Sequence, residues 1–111
     1  MAAEDTKFKI ENIKEGEGPE VTGGDFITIH YHGTLEDGTV FDSSVERGSP
    51  FKTRIGVGEV IEGWDMGVPG MKVGGKRKLT IPAKLAYGDR AVGDIPAGST
   101  LIFDVELVGI D

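Results

Sequence analysis

Apolar and polar residues alternate along several segments of this chain, as they do in β-strands that bury one face. In FITIHYHGTL (26–35), Ile27, Ile29 and Tyr31 share one face and polar side chains share the other. The segments KRKLTIPA (76–83) and TLIFDVELVGI (100–110) alternate in the same way, with these residues facing inward: Leu79, Ile81, Leu101, Phe103, Val105 and Leu107. The pattern predicts a β-rich domain.

Shorter segments complete the predicted sheet. KFKIENI (7–13) alternates, with Phe8 and Ile10 on its predicted buried face. The turn residues at 36–38 predict a hairpin over 34–43, which brings Phe41 and Asp42 alongside the Tyr31 strand. A further strand is predicted over 51–55. Residues 16–25 are predicted to form a loop, and residues 43–50 an irregular segment.

One segment has helical rather than strand spacing. In IEGWDMGVPGM (61–71), Ile61, Trp64 and Val68 recur at helical intervals, and Pro69 prevents much continuation. Such a helix has about two turns and is stable only when packed on a sheet. We therefore predict an α+β fold, an antiparallel sheet of about five strands with one short α-helix against its apolar face. By the same alternation Arg77 faces inward, where we expect it to snorkel at the sheet margin.

Length and charge narrow the class of protein. The 111 residues predict a single domain over 1–111, with residues 1–6 as a flexible tail. A net charge of -7 argues against nucleic acid as a partner. The acidic start and the absence of a long apolar run predict a soluble, cytoplasmic protein that does not enter the membrane. A monomer is the default for one small acidic domain.

Three motifs have simple explanations. GMKVGGK (70–76) resembles a phosphate-binding loop, but Arg77 stands where a hydroxyl residue is required, so we predict a glycine turn that enters a strand. His30 and His32 lie on one strand face without a clear third metal ligand, and we predict two exposed histidines. No serine lies in a nucleophile elbow, and the chain has no cysteine. We therefore predict neither a metal nor a cofactor.

The aromatic residues are the remaining candidates for chemistry. Six of them lie on or beside a predicted strand, the helix or a long loop: Tyr31, Phe41, Phe51, Trp64, Tyr87 and Phe103. They could be ordinary core, or they could line one apolar pocket beside Asp42. A buried carboxylate and buried tyrosine hydroxyls need partners, and Arg47 is a candidate counter-ion for Asp42. An apolar cavity with one or two polar groups suits rotation about the amide bond that precedes proline.

Several longer strings resemble those of the tacrolimus-binding, or FKBP-type, peptidyl-prolyl isomerases, in particular their small single-domain cytosolic members. The strings are FITIHYHGTLEDGTVFDSS, RGSPF, GVGEVIEGWDMGVPGM, LTIPAKLAYG and IPAGSTLIFDVELVGI, so the resemblance extends from about residue 8 to residue 111. It implies a half-conical antiparallel sheet around a short helix, with the active pocket between them.

The resemblance also implies roles for individual residues. Trp64 would form the pocket floor, Val60 and Ile61 the rim, and the Ile61 N–H would meet a ligand carbonyl. Tyr87 would donate its hydroxyl to the ligand, and Ile95 would form a loop wall. Arg47 and Tyr31 would position Asp42. The implied catalytic residues are Asp42, Tyr31, Phe41, Tyr87 and Phe103, and the implied substrate- or macrolide-binding residues are these five with Arg47, Phe51, Val60, Ile61, Trp64 and Ile95.

Partners follow from the same resemblance. It implies proline-containing peptides and proteins as substrates, and macrolides such as tacrolimus and rapamycin as ligands. It leaves open whether a macrolide complex engages a phosphatase or a kinase. The loop DRAVGDIP (89–96) departs from the family pattern through its charges, which leaves substrate preference open. Two alternatives to the enzyme are a binding module for proline-containing segments, with incidental catalysis, and a stable β-rich domain whose aromatic residues leave no open cavity.

Overall fold

Six antiparallel strands form one sheet in the part of the chain that the computed structural model describes, residues 7–111. Residues 1–6, for which we predict a flexible tail, lie outside that part. The strands are β1 (Lys9–Lys14), β2 (Phe26–Leu35), β3 (Val40–Ser43), β4 (Phe51–Arg54), β5 (Lys76–Ile81) and β6 (Leu101–Ile110). Two short helices, α1 (Ser44–Arg47) and α2 (Glu62–Gly67), and one 3₁₀ turn, Ala83–Leu85, complete the elements.

The strand order explains why six strands form a sheet of five positions. The order is β1-β5-β6-β2-β3, and β4 also pairs with β2. β3 pairs with residues 32–34 of β2 and β4 with residues 26–29, so the two short strands follow one another along the same edge. The structure confirms the predicted antiparallel sheet of about five strands.

The two ten-residue strands form the centre of the sheet and bury the faces that alternation predicts. Ile27, Ile29 and Tyr31 of β2 are buried, while Thr28 and His30 between them are half-buried. On β6 the buried residues are Leu101, Phe103, Val105 and Leu107. Burial of these apolar side chains is the main favourable contribution to folding.

Helix α2 packs on the inner, apolar face of the sheet, with Trp64 buried in its middle and Val68 buried at its C-terminal end. A Cβ atom on Gly63 would lie 2.5 Å from Ile81 Cγ2, closer than real contacts allow, so glycine permits the helix to approach β5. The predicted short helix is confirmed. No helix in residues 7–111 is long and apolar enough to cross a membrane.

The prediction of irregular chain over residues 43–50 was wrong, because α1 lies there. The Ser43 hydroxyl accepts a hydrogen bond from Glu46 N, which caps the helix, and Gly48 ends it in the left-handed region at φ 74°. A serine three residues before a glutamate, followed by glycine, is a sequence signature of such a helix. The sequence therefore contained the capping signals of α1, but a helix of four residues is too short to show helical periodicity.

Two other predictions need correction. β1 pairs with β5 alone, all six of its residues are exposed, and Ile10, predicted to be buried, is 42% exposed. The predicted loop over residues 16–25 is present, and its Val21 is buried and donates its N–H to Met71 O at 2.7 Å. Arg77 does face inward, but its Nη1 donates to Gly67 O (2.8 Å) and Pro69 O (3.0 Å) at the end of α2 rather than snorkelling to solvent.

Candidate active site

A cavity of about 550 Å³ opens between the inner face of the sheet, helix α2 and two loops. This volume lies within the usual range for small-molecule sites. Its lining residues are Tyr31, Phe41, Asp42, Phe51, Gly58, Glu59, Val60, Ile61, Trp64, Ala86, Tyr87 and Phe103. The aromatic side chains therefore leave an open cavity between them.

Trp64 lies at the centre of the aromatic cluster. Its ring centroid is 5.3 Å from that of Tyr31, 5.3 Å from that of Phe103 and 6.1 Å from that of Phe51. Phe41 joins through Phe103 at 5.4 Å. All of these pairs are edge-to-face, the arrangement that aromatic quadrupoles favour. The rings therefore pack against one another and form the inner surface of the cavity.

Gly33 makes room for two of the walls. It lies on β2 two residues after Tyr31, opposite Asp42 on β3 and Phe103 on β6. A Cβ at Gly33 would lie 2.6 Å from Phe41 Cζ and 2.9 Å from Phe103 Cε1. A glycine inside a strand often marks a close approach of this kind. The two phenyl rings therefore occupy the space that any side chain at this position would need.

The polar part of the cavity is a three-residue network. Tyr31 Oη donates to Asp42 Oδ2 at 2.6 Å, and Arg47 Nη2 donates to Tyr31 Oη at 3.1 Å. Arg47 Nη1 also donates to Asp42 Oδ1 and forms an ion pair with it. Helix α1 presents Arg47 one turn after its first residue, while β3 presents Asp42. The carboxylate is thus held by a hydroxyl on one side and a guanidinium on the other.

This network fixes the protonation state of two groups. Burial raises the pKa of Asp42, but the hydrogen bonds from Tyr31 and Arg47 and the charge of Arg47 together outweigh it, so the pKa lies below its usual value. Burial, followed by the hydrogen bond to the Asp42 carboxylate, raises the pKa of Tyr31. At neutral pH Asp42 is therefore ionised and Tyr31 is a neutral donor.

The loop between β4 and α2 forms the rim of the cavity. Two carboxylates hold this loop in place through hydrogen bonds. Asp65 on α2 accepts hydrogen bonds from Gly56 N (2.7 Å) and Gly58 N (2.9 Å). Glu59 Oε1 accepts from Arg54 N (3.1 Å) and Thr53 Oγ1 (3.2 Å). These contacts tie the loop to both of its flanking elements. Across the opening, Tyr87 is 38% exposed on the long loop before β6.

The structure brings together most of the residues that the sequence nominates. Nine of them line the cavity: Tyr31, Phe41, Asp42, Phe51, Val60, Ile61, Trp64, Tyr87 and Phe103. Arg47 lies outside the lining and contacts Asp42 and Tyr31. Ile95, expected as a loop wall, is not among the lining residues and is 5% exposed within the core. Its N–H and C=O pair with those of Val92, and this bridge turns the loop back on itself.

Sequence reasoning missed Gly58, Glu59 and Ala86, which also line the cavity. Glu59 and Ala86 adjoin the nominated residues Val60 and Tyr87 in the chain, Gly58 lies two residues before Val60, and that proximity was the available signal. Nothing in the sequence distinguishes Glu59 from a solvated surface acid. Its inclusion depends on the fold of the loop before α2.

One buried donor stands out. Trp64 Nε1 is the buried side-chain polar atom that lacks a hydrogen-bond partner within residues 7–111. An unsatisfied buried donor costs about 1–3 kcal/mol, and such exceptions in native structures call for an explanation. Trp64 is also the residue at the centre of the aromatic cluster.

The histidine pair lies on the opposite face of the sheet and is not part of this cavity. Both histidines are half-buried rather than exposed, which corrects the prediction, because two serines of the β3–α1 junction cover them. His30 Nδ1 lies 2.9 Å from Ser44 Oγ, and His32 Nδ1 lies 3.0 Å from Ser43 Oγ. No group of three or more His, Cys, Asp or Glu side chains that could hold a metal occurs in the described part of the chain.

Comparison with known sequences gives a consistent result. The family model for FKBP-type peptidyl-prolyl cis-trans isomerase matches residues 18–108. The FK506-binding protein 1 of Saccharomyces cerevisiae is 56% identical over 105 residues, which cover 93% of this chain and 92% of that protein. The FK506-binding protein of Neisseria meningitidis serogroup A is 55% identical over 102 residues, covering 91% and 94% respectively.

Solved structures agree with the sequence matches. The crystal structure of AtFKBP13 matches with a TM-score of 0.87 and 48% identity, covering 94% of this chain and 93% of that one. The crystal structure of FkpA from Escherichia coli matches with a TM-score of 0.86 and 42% identity, covering 94% and 48%. The resemblance stated from the sequence and the predicted fold class are both confirmed. The chain belongs to the FKBP-type peptidyl-prolyl cis-trans isomerase family.

Proposed function

We propose that the aromatic cavity binds the proline ring of a peptide and accelerates rotation about the preceding amide bond by removing that bond from water. Resonance holds the amide planar, with a rotation barrier of about 18–20 kcal/mol. The planar amide is more dipolar than the twisted one, so an apolar environment favours the twisted state. The uncatalysed event takes tens of seconds, and each 1.4 kcal/mol or so removed from the barrier speeds it about tenfold.

One observation carries this proposal. The cavity of about 550 Å³ is lined mainly by aromatic and aliphatic side chains, and the Asp42 carboxylate in it is neutralised by Arg47. Such a site offers a dry surface for a pyrrolidine ring. The cavity offers no nucleophile, because the Asp42 carboxylate is paired with Arg47 and accepts a hydrogen bond from the Tyr31 hydroxyl. Rotation about an amide bond does not require a nucleophile.

We assign roles within the cavity as follows. Trp64 forms the floor against which the proline ring stacks, with Tyr31, Phe41, Phe51 and Phe103 as walls and Val60 as rim. The Ile61 N–H and the Tyr87 hydroxyl donate to the substrate carbonyls that flank the bond. These contacts accelerate rotation only as far as they are stronger in the twisted state. Asp42, positioned by Arg47, orients and polarises the substrate and transfers no proton.

The test is a proline isomerisation assay on matched variants. We expect Phe41→Ala and Asp42→Ala to lower kcat/KM about tenfold or more for a tetrapeptide with a Leu-Pro bond, which is a loss of about 1.4 kcal/mol of transition-state stabilisation. Asp104→Ala is the control, because it removes the same charge from an exposed position outside the cavity. Unchanged rates for both cavity variants would remove the site from the reaction.

We also propose that the cavity binds macrolides such as tacrolimus and rapamycin. Relatives carry FK506 in their names, and the cavity volume suits a ligand of this class. Trp64, the single tryptophan, reports on binding directly. Titration with tacrolimus should change its fluorescence saturably, and Trp64→Phe should abolish the signal. A response that stays linear in ligand concentration would contradict the proposal. A separate pull-down experiment with a phosphatase and with a kinase tests whether the macrolide complex binds either of them.

A binding module with incidental catalysis is the second candidate. The charged loop over residues 88–94 flanks the cavity-lining Tyr87 and offers a surface for a partner segment beyond the proline itself. Partner affinity that survives in a catalytically inactive Phe41→Ala variant favours this candidate over the enzyme.

A monomeric, cytoplasmic protein is proposed from the sequence alone. Sedimentation equilibrium checks the first part: a mass near 11.8 kDa supports the monomer, and twice that mass contradicts it. Fractionation of cells of the source organism checks the second.

A further inference from the structure

The edge of β2 has a gap beside the cavity. On this side β3 pairs with β2 from Thr34 to His32, and β4 begins pairing only at Ile29. The backbone of Tyr31 therefore lies between the two short strands and has no strand partner at this edge. Buried backbone groups require partners, so something else must satisfy its N–H and C=O.

The hydroxyl of Ser44 fills this gap. Tyr31 N donates to Ser44 Oγ at 2.8 Å, and Ser44 Oγ donates to Tyr31 O at 3.3 Å. Antiparallel pairing places Ser44 opposite Tyr31, one step beyond the His32–Ser43 pair, but the chain has already turned into α1. The serine side chain thus takes the place of a ladder residue. Ser44 is 0% exposed, and His30, on the outer face of the sheet, places its Nδ1 2.9 Å from the Ser44 hydroxyl.

The same helix also holds the other end of Tyr31. Arg47, three residues after Ser44, donates to the Tyr31 hydroxyl and to Asp42. Ser44 at the start of α1 therefore fixes the backbone of Tyr31, and Arg47 at its end fixes the hydroxyl. A helix of four residues has no stability of its own, so these contacts define its position as much as they define that of Tyr31.

We propose that Ser44 is a positioning residue for the isomerase: it does not touch substrate, and it holds Tyr31 so that its hydroxyl keeps its place beside Asp42 in the cavity. The inference rests on the proposed function through the role of Tyr31 in positioning Asp42. Serine suits the position because one small hydroxyl both accepts and donates. Alanine would leave the N–H and C=O of Tyr31 unpaired in a buried place, and the strand would have to shift to recover partners.

The first test measures catalysis and stability on one set of variants. We expect Ser44→Ala to lower kcat/KM about fivefold for a tetrapeptide with a Leu-Pro bond. Isomerisation is measured by NMR exchange at a temperature at which every variant is folded. The control is Ile27→Val, a fully buried change on the same strand that does not line the cavity and should lose stability without losing activity. Ser44→Ala at the wild-type rate overturns the proposal. If this variant does not fold, Ser44→Cys, with a weaker donor, takes its place.

A double-mutant cycle separates positioning from general structure. If Ser44 acts through the Tyr31 hydroxyl, Ser44→Ala should cost less than twofold in a Tyr31→Phe background, against about fivefold in the wild type. An equal loss in both backgrounds overturns the proposal. Hydrogen exchange of the Tyr31 amide should also speed up in Ser44→Ala by more than its loss of global stability explains, and in Ile27→Val by no more than that loss explains. If the wild type itself does not catalyse isomerisation, the proposed function fails instead, and the two failures are distinguished.

Discussion

The shape of the cavity depends on the absence of a side chain at Gly33. A Cβ at this position would come within 2.6 Å of Phe41 and 2.9 Å of Phe103. Both contacts are to rings that wall the cavity, and these rings pack edge-to-face with each other. The ring carbons cannot withdraw without disturbing the rest of the aromatic cluster.

We therefore expect Gly33→Ala to reduce both activity and stability. Overpacking of this kind costs about 1–3 kcal/mol in the free energy of unfolding, measured by urea denaturation. Displacement of Phe41 should lower kcat/KM at least as much as Phe41→Ala does. Gly23→Ala is the control, since a Cβ there meets nothing within 4 Å. Full activity of Gly33→Ala would mean that the position of the Phe41 ring does not matter for turnover.

The protonation states of Asp42 and Tyr31 lead to a second prediction at this scale. The pKa of Asp42 lies below its usual value, and that of Tyr31 lies above its own. Since ordinary values are about 3.9 for Asp and about 10 for Tyr, neither group changes charge between pH 5 and pH 9 or so. We expect kcat/KM to be flat over that interval when isomerisation is followed by NMR exchange. A step near neutral pH would show that the ionisation of a group other than Asp42 and Tyr31 affects turnover.

At the scale of elements, the long strands could be predicted from the sequence and the four-residue helix α1 could not. β2 and β6 are ten residues long, and their strict alternation survives in the structure. The alternation of β1 misled, because all six residues of this strand are exposed and neither of its faces is buried. Helix α1 was missed because four residues contain no periodicity, although Ser43 and Gly48 carried capping signals.

The cap of α1 can be tested separately from its contact with Tyr31. Removing an N-cap serine costs about 1 kcal/mol, so Ser43→Ala should lower the free energy of unfolding by about that amount in urea. Ser49→Ala, an exposed position just after the helix, is the control and should unfold like the wild type. Equal stability of Ser43→Ala and Ser49→Ala would imply that the Ser43–Glu46 bond contributes nothing.

At the scale of the whole molecule, the cavity was predictable only in part. The sequence nominated its aromatic residues because they lie on or beside a predicted strand, the helix or a long loop, and the family resemblance supplied their grouping. It could not supply the turn that directs Ile95 into the core or the loop that brings Glu59 to the rim. Both depend on local hydrogen bonds, between Val92 and Ile95 and between Arg54 N and Glu59, which leave no periodic pattern in the chain.

Stability in acid is a whole-molecule property that the site also affects. A carboxyl group whose pKa is lowered by folding stabilises the protein above its unfolded pKa, about 3.9, and this contribution is lost as pH falls through the folded value. We expect the difference in free energy of unfolding between wild type and Asp42→Asn to be constant above pH 5 or so and to shrink below about pH 4. A difference that is the same at pH 3 and pH 7 would contradict the assigned ionisation.

The central claim is that the aromatic cavity receives the proline ring, and NMR titration of the labelled protein with a Leu-Pro peptide tests it most directly. We predict saturable shift changes centred on the residues that line the cavity, together with nuclear Overhauser contacts between proline ring protons and the Trp64 indole. Shift changes centred instead on the opposite face of the sheet, around His30 and His32, with no contact to Trp64, would contradict the account.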